Sequence, residues 1–413
     1  MTLEVLVVGG GPAGAAVATL LARAGREVAL VERAAAYRWR AGGVFASPAA
    51  VGALRRIGLD PETVAAVVQP IPAMRVETSR GATFRLTYGD DGSLSAPAVG
   101  LDRARLDPAL LDLARQSGVE VRTGVSVTGV RPTSGGGTTL DVDLAPGTGV
   151  ADAAGRGAAP STERARAVIG ADGIRSTVAR SLGVARRPRF DRVGLTFHLA
   201  DPRRDTPRDA RMGILADAYV GLAPVPRGRL NVGIVLGPTW RARLRGEGAE
   251  GVAAQILASI APAADDPGPW HLDEICDSIE GAAPVGHRVT RREGPGWWLI
   301  GDAAGFLDPF TGEGIHRALV SAEFAALCVD RWLAGRPGAR GTYARAMTSQ
   351  FAMKDRLSWL VQAFLGQPPL LEYAARRIAE RVRVRQTLGL VMGDLVPAGR
   401  ALNPRFLAEL LAP

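Results

Sequence analysis

The sequence contains few of the residues that mark disulfide-rich or metal-binding proteins. Only two of its 413 residues are cysteines, Cys276 and Cys328, and only four are histidines. The two cysteines are far apart and have no partner at metal-ligand spacing, which excludes a disulfide framework and a zinc site. We therefore predict two free thiols, a reducing compartment and no metal.

Long apolar runs are also absent. No window comes close to the run of about 18 apolar residues that a membrane-spanning helix requires. The first apolar run, Val5 to Val8, follows no basic segment and is too short for the core of a signal peptide. These features predict a cytoplasmic protein.

Lysine is nearly absent, and this affects the interpretation of the positive charge. The formal net charge is +9, yet Lys354 is the only lysine, and aromatic residues make up only 5% of the chain. The arginines are scattered and do not form a stripe with interleaved aromatic residues, so we predict no nucleic-acid binding. A mildly basic surface would still attract anionic cofactors.

The chain does contain a clear alternation of strand and helix patterns. Residues 4–8 predict a strand, residues 12–24 a helix and residues 27–31 a second strand, which together form a βαβ unit. A helix is predicted at 108–116 and a strand at 119–121. The Gly- and Pro-rich stretch 133–162 predicts an exposed loop with one strand-like island at 138–144.

The second half of the chain has two different patterns. Residues 190–285 contain alternating segments that predict antiparallel strands, and 297–300 predict a strand that returns to the α/β layer. From Ile315 onward the pattern is helical, with breaks at Pro337, Pro368 and Pro397. A chain of this length can bury the cores of two domains.

The glycine-rich segment GGGPAG, residues 9–14, satisfies G-x-G-x-x-G between a predicted strand and a predicted helix. In such a turn Gly9 permits the tight bend, Gly11 lets backbone N–H groups approach a pyrophosphate, and Gly14 lets the helix pack closely. Glu32, 18 positions after Gly14 at the end of the next strand, would accept hydrogen bonds from a ribose. The motif predicts a dinucleotide site without distinguishing NAD from FAD.

Two later segments resemble the fingerprints of flavoprotein monooxygenases. They are VIGADGIRS at 168–176 and GDAAGFLDP at 301–309. The same segments resemble geranylgeranyl reductases and flavin-dependent halogenases, which share that fold, and the resemblance extends from Met1 to about Ala322. It implies FAD as the cofactor.

The resemblance also implies the architecture. We expect an α/β protein in which a Rossmann-type, three-layer FAD-binding domain is joined to an antiparallel β-sheet substrate domain and to C-terminal helices. The predicted FAD-binding domain is discontinuous and comprises residues 1–75, 98–188 and 286–335. Residues 76–97 and 189–285 are assigned to the substrate domain, and 336–413 to the C-terminal helical region.

The cofactor residues follow from the same resemblance. Asp302 would bind a ribityl or ribose hydroxyl, and the segment TGEGI at 311–315 would direct helix N–H groups at the flavin. Arg103 falls where these families carry an FAD-contacting arginine, Val127 where a strand touches adenine, and residues 40–43 where the chain passes the flavin ring. The full predicted set is Gly9, Gly11, Pro12, Ala13, Gly14, Glu32, Arg33, Gly42, Gly43, Arg103, Val127, Asp172, Gly301, Asp302, Pro309, Gly312, Gly314 and Ile315.

The segment YVGLAP, residues 219–224, bears on the type of reaction. Halogenases carry W-x-W-x-I-P and geranylgeranyl reductases Y-x-W-x-F-P, so Gly221 stands where these families have tryptophan. Halogenases also need a relay lysine, and Lys354 lies outside every motif. Halogenation is therefore disfavoured, and Gly221 predicts space for a bulky substrate.

These features favour a monooxygenase that hydroxylates a bulky aromatic or polycyclic secondary metabolite, with NAD(P)H and O₂ as co-substrates. Tyr219, Gly221 and His198 are the candidate residues on the substrate side. A core or surface role is an equal alternative for Tyr219 and His198, and His316 is interpreted as a helix-packing residue. No side chain is assigned as acid or base.

Three alternatives remain open. The first is a reductase of C=C bonds in a polyprenyl or other lipophilic substrate. The second is an electron-transfer flavoprotein without its own substrate. The third, an NAD(P)-dependent dehydrogenase, lacks the expected Tyr-x-x-x-Lys or His/Asp set. The region from Phe351 to Pro413 is expected to pack on the cofactor domain as an amphipathic helix, with weak association with a membrane surface as the alternative.

Overall fold

The computed structural model describes residues 2–88, 96–134, 137–147, 160–203, 206–260, 270–338 and 341–412. Its helices are α1 (Pro12–Arg23), α2 (Pro48–Ile57), α3 (Pro61–Val67), α4 (Arg103–Gln116), α5 (Thr177–Ser181), α6 (Pro238–Ala258), α7 (Gly314–Leu333), α8 (Thr342–Leu365), α9 (Pro368–Glu380), α10 (Val382–Met392) and α11 (Pro404–Leu411).

Its strands are β1 (Thr2–Val8), β2 (Val28–Glu32), β3 (Phe45–Ala46), β4 (Val68–Ile71), β5 (Ala73–Thr78), β6 (Thr83–Thr87), β7 (Ala98–Leu101), β8 (Glu120–Thr123), β9 (Val125–Pro132), β10 (Leu140–Pro146), β11 (Ser161–Gly170), β12 (Ala185–Arg186), β13 (Val193–Ala200), β14 (Ala210–Leu215), β15 (Ala218–Val225), β16 (Arg229–Leu236), β17 (Glu280–Ala282), β18 (Arg288–Val289), β19 (Glu293–Gly294) and β20 (Trp297–Leu299).

The predicted βαβ unit lies at the centre of the first sheet, whose main strand order is β19-β20-β11-β1-β2-β8. Strand β1 pairs in parallel with β2 and β11, so Val8 lies opposite both Val31 and Gly170. Helices α1, α4 and α7 pack on one face of this sheet, and β9 and β10 contribute to the core on the other face. The result is the expected three-layer arrangement.

The second sheet contains the strands predicted in residues 190–285, in the order β17-β13-β16-β15-β14-β5-β6. Its neighbouring strands are antiparallel except β14 and β5, which are parallel. Helix α6, which the strand pattern did not predict, covers one face, where Ile256 shares a core with Val220 and Val232. The opposite face is free to form the wall of a cavity.

Several boundaries differ from the sequence predictions. Helix α4 begins at Arg103, five residues before the predicted start, because the side chain of Asp102 caps it by accepting a hydrogen bond from the Ala104 amide at 3.2 Å. The strand-like island at 138–144 is confirmed by β10, but residues 148–159 of the predicted loop lie outside the described part of the chain. The domain boundaries stay a prediction.

The C-terminal helices break near Pro337, Pro368 and Pro397 as predicted, and again at Arg381. They were expected to pack on the cofactor domain, which is only partly correct. Helix α8 contacts α7, but α9 contacts β5 and β6 of the second sheet, and α10 contacts β6. Among the described residues, no helix combines the length and apolarity needed to cross a membrane.

Candidate active site

A cavity of about 890 Å³ brings most of the predicted site residues together. It begins beside the glycine-rich turn that follows β1 and continues between the second sheet and the C-terminal helices. Of the predicted cofactor residues, all except Gly14 line it, and so do Tyr219 and Gly221. Residues that are far apart in the sequence therefore line one cavity.

The glycine-rich turn is built by close backbone approach. Gly9 has φ of +106°, and a Cβ there would lie 2.5 Å from the carbonyl oxygen of Ala171. A Cβ on Gly14 would lie 1.9 Å from the carbonyl oxygen of Gly9, which explains why Gly14 is under the turn and not in the cavity. At Gly11 nothing lies within 4 Å, so the cavity reaches the backbone where α1 begins. This is the geometry that admits a pyrophosphate to a helix N-terminus.

Glu32 is held at the end of β2 by backbone donors. Its Oε2 accepts a hydrogen bond from the Gly10 amide at 2.7 Å, and its Oε1 accepts one from the Ala34 amide at 3.1 Å. The side chain is buried but lines the cavity. Because each carboxylate oxygen can accept more than one hydrogen bond, Glu32 retains capacity for the hydroxyls of a ribose.

Arg103 connects the loop at 40–43 to α4. Its guanidinium pairs with Asp107 at 2.6 and 2.8 Å and donates to the carbonyl oxygen of Gly43 at 2.8 Å. It also acts electrostatically on Asp302. Burial raises the pKa of Asp302 to about 6, although Arg103 and Arg317 act to lower it. Asp302 is thus a carboxyl whose charge costs energy until a polar ligand solvates it.

The two carboxylate oxygens of Asp172 have different surroundings. Its Oδ2 accepts hydrogen bonds from the Thr177 and Val178 amides, at 2.6 and 3.1 Å, at the start of α5. Its Oδ1 is buried without a hydrogen-bond partner, and burial raises the pKa of this residue. A buried acceptor on a cavity wall fits a ligand that carries hydroxyl groups, as the ribityl chain of FAD does.

The segment at 311–315 turns sharply into α7. Gly312 has φ of +66°, and a Cβ there would lie 2.4 Å from the ring of Phe45. Helix α7 begins at Gly314, and both Gly314 and Ile315 line the cavity. The first N–H groups of a helix have no partner within the helix, so this end can stabilise negative charge on a bound molecule.

On the substrate side, where the second sheet lines the cavity, two facing glycines form a strip without side chains. Gly221 on β15 lies directly opposite Gly233 on β16, between Met212 and Thr196 on the flanking strands. A Cβ on Gly221 would lie 3.6 Å from the Met212 methyl group, which is an ordinary contact, so packing does not require glycine there. Sequence reasoning missed Gly233, although it lies in the alternating pattern of β16.

Tyr219 joins the substrate side to the cofactor side. Its hydroxyl donates to Asp308 Oδ1 at 2.5 Å, and Arg192 donates to Asp308 Oδ2 at 2.6 Å. Burial and the nearby Asp308 raise the pKa of Tyr219 well above its ordinary range. Sequence reasoning missed Asp308 and Arg192, and only the position of Asp308 just before Pro309 could have indicated the first.

His198 does not reach the cavity. Its Nδ1 lies 2.6 Å from Asp277 Oδ2, and its ring centroid lies 4.3 Å from that of Trp39. With 2% of its surface exposed, it belongs to the packing of the second sheet, so the structure does not support it as a substrate ligand. His316 is also buried, with its Nδ1 3.1 Å from Asp394 Oδ2.

Comparison with known proteins agrees with this geometry. The chain is 29% identical over 332 residues to the menaquinone reductase of Mycolicibacterium smegmatis, covering 78% of this chain and 75% of that protein. It is 27% identical over 332 residues to digeranylgeranylglycerophospholipid reductase 1 of Methanococcoides burtonii, covering 78% and 73%. A flavoprotein/dehydrogenase from Cytophaga hutchinsonii has the same fold, with a TM-score of 0.79, 20% identity, and coverage of 99% and 95%.

The family assignment comes from a match that covers more than three quarters of the chain. Residues 2–323 match the family described as FAD binding domain. This range contains the three motifs on which the resemblance to flavoproteins was based, and the similar proteins include reductases of the predicted geranylgeranyl reductase type. The chain is an FAD-dependent oxidoreductase that belongs to the FAD binding domain family.

Proposed function

We propose that this oxidoreductase is a monooxygenase that hydroxylates a bulky aromatic ring. The observation that carries this proposal is the bare strip of Gly221 and Gly233, which lies on the wall of the same cavity as the cofactor residues. A flat ring can lie against such a strip because no side chain projects from it. Tyr219 lies at its edge and can contact a substituent of the ring.

The residues on the cofactor side fit FAD. The open backbone at Gly11, the carboxylate of Glu32 and the unpartnered Oδ1 of Asp172 match a pyrophosphate, a ribose and a polyol chain respectively. When bound and reduced, FAD supplies the electrons for oxygen activation, with NAD(P)H as the proposed donor.

The chain supplies binding and orientation. The apolar walls exclude water, and Tyr219 donates its own proton to Asp308, so its oxygen can accept a hydrogen bond from a phenolic substrate. Arg192 holds Asp308 from the other side and so keeps the tyrosine in place. No proton transfer by a side chain is required for this role.

The test supplies NADPH, ¹⁸O₂ and a panel of alkylated and polycyclic phenols to the FAD-loaded protein. We expect one phenol class to stimulate NADPH oxidation and to gain one labelled oxygen atom. Gly221→Trp, which fills the strip, should lower kcat/KM by about a hundredfold or more without loss of FAD. Gly246→Trp, at an exposed position on α6, is the matched control. Unlabelled product would refute the proposal.

Reduction of a C=C bond in a lipophilic substrate is the second candidate. It is favoured by the names of the similar proteins, menaquinone reductase and digeranylgeranylglycerophospholipid reductase. This reaction needs no O₂. A product formed anaerobically with two added hydrogen atoms would establish it in place of hydroxylation.

Halogenation and pure electron transfer are less well supported. The only lysine, Lys354, is buried and donates to Asp394 Oδ1 at 2.7 Å, and it does not line the cavity. A protein that only transferred electrons would have no use for a substrate strip. Cytoplasmic localisation and a place in secondary metabolism stay predictions.

A further inference from the structure

The cavity has an apolar arm formed by the C-terminal helices. Fifteen residues between Leu357 and Leu410 line it, and all fifteen are apolar. Residues 341–412 contain ten Lys or Arg and five Asp or Glu, yet none of these charged side chains faces the cavity. The side of these helices that lines the cavity is therefore free of charged side chains, so this arm suits a ligand without polar groups.

Helix α9 separates the arm from the solvent. Leu371, Ala374, Ala375 and Ile378 follow the i, i+3, i+4, i+7 spacing of one helix face, and all line the cavity. The exposed Arg376 lies outside this face. The hydrogen bond from Thr78 to Glu372 fixes α9 against β5, so the wall has a defined position.

Ala374 and Ala375 are the smallest side chains on this face, and both are buried, at 4% and 1% exposure. Phe364 at the end of α8 and Val76 on β5 also line the arm. Because both alanines line the cavity, a larger side chain at either position is expected to reduce the space in the arm. An apolar arm gains contacts and releases water when an apolar chain fills it, and each methylene group adds to the affinity.

We propose that this arm holds a long apolar chain attached to the ring of the substrate, and that Ala374 and Ala375 set the length of chain it accepts. The proposal rests on the proposed function for the identity of the ring. It adds a second recognition element to the same molecule, with the ring beside Gly221 and the chain beneath α9.

The experiment measures binding without turnover. FAD-loaded protein is titrated anaerobically, without NADPH, with 4-alkylphenols whose tails range from ethyl to hexadecyl. Binding is followed by calorimetry and by the change in flavin absorbance. The dissociation constant should fall about three- to fourfold with each added methylene until the arm is full, and then remain constant.

Three variants locate the limit. Ala375→Phe should move the plateau to shorter tails, and Phe364→Ala should move it to longer ones. Ala363→Phe, on the exposed side of α8, should leave it unchanged. FAD content and melting temperature confirm folding, and because the first two shifts are opposite in sign, general destabilisation cannot mimic both.

Two results would overturn the proposal. One is a dissociation constant that does not depend on tail length. The other is a plateau that is the same in Ala375→Phe, Phe364→Ala and Ala363→Phe. A length-dependent affinity without labelled oxygen in any product would refute hydroxylation and leave the role of the arm supported.

Discussion

Glu32 and Asp302 are two carboxyl groups on the cofactor side of the cavity, and their environments differ. Glu32 already accepts hydrogen bonds from two backbone amides, which hold its carboxylate in place. For Asp302, burial is the largest influence on the pKa and raises it to about 6. Substitution of the two residues therefore has different consequences for the protein without FAD.

Glu32→Ala should lower the affinity for FAD by about tenfold to a hundredfold, because hydrogen bonds to a charged acceptor contribute about 1.5–3 kcal/mol. The measurement is a fluorescence titration of the FAD-free protein. Glu27→Ala, at an exposed position just before β2, is the control and should bind FAD normally. An unchanged dissociation constant for Glu32→Ala would contradict the proposed ribose contact.

Asp302→Asn should stabilise the FAD-free protein at neutral pH and weaken FAD binding. The folded-state pKa of Asp302, about 6, lies above its ordinary value of 3.8, so the folded protein retains a proton that the unfolded chain releases. Stability is therefore lost as the pH rises from about 4 to about 6. The gain for the variant should approach 3 kcal/mol at most above pH 7, and should vanish near pH 4.

Urea unfolding of the FAD-free protein at several pH values measures this effect. Asp112→Asn, on the exposed side of α4, is the control for the loss of one negative charge. A stability difference between Asp302→Asn and the native protein that did not depend on pH would contradict the raised pKa of Asp302.

At the scale of elements, one buried ionic cluster connects α7, α8 and the end of α10. Lys354 on α8 donates to Asp394 Oδ1 at 2.7 Å and to the carbonyl oxygen of Val391 at 2.8 Å. His316 on α7 contacts the other oxygen of Asp394 at 3.1 Å. These contacts lower the pKa of Asp394 far below its ordinary range, so the charged pair should persist until the solution is strongly acidic.

Lys354→Met should lower the free energy of unfolding by about 3–5 kcal/mol, because it leaves a buried carboxylate without its cation. Arg356→Met, two residues away on the exposed side of α8, should have little effect. The double variant Lys354→Met/Asp394→Asn should recover part of the loss, since it removes the unpaired charge. Urea unfolding of the three variants provides the comparison.

At the scale of the whole molecule, the FAD site joins segments that are far apart in sequence. The residues on its wall come from the turn after β1, the start of α4, the segment after β11 and the start of α7. A cofactor bound there would hold these segments together. Binding of FAD should therefore raise the free energy of unfolding of the whole protein.

The purified protein should be yellow and should release FAD, not FMN, on denaturation. Added FAD at a hundred times its dissociation constant should stabilise the FAD-free protein by about 2.7 kcal/mol. FMN should give no comparable effect, because it lacks the adenosine part that Glu32 and Val127 would contact. Equal stabilisation by both flavins would contradict the placement of the adenosine.

The sequence alone was sufficient for the cofactor half of the site. Gly9, Gly301, Gly305 and Gly312 have positive φ angles that few other residues can adopt, so this part of the site is visible as a sequence motif. Glu32 could be located because the intervening helix has a nearly standard length. These features depend on short stretches of chain and on backbone geometry, which a linear pattern records.

The substrate half was decided by tertiary packing. The sequence left His198 and Tyr219 as equal candidates on the substrate side. In the structure, Asp277 and Trp39 contact the histidine, whereas the Tyr219 hydroxyl donates to Asp308 and the tyrosine lines the cavity. The pairing of Gly221 with Gly233 depends on strand register, and the apolar arm depends on how α9 packs on the second sheet. Contacts between residues far apart in the chain have no local signature. Only the folded structure could therefore show which side chains face the substrate.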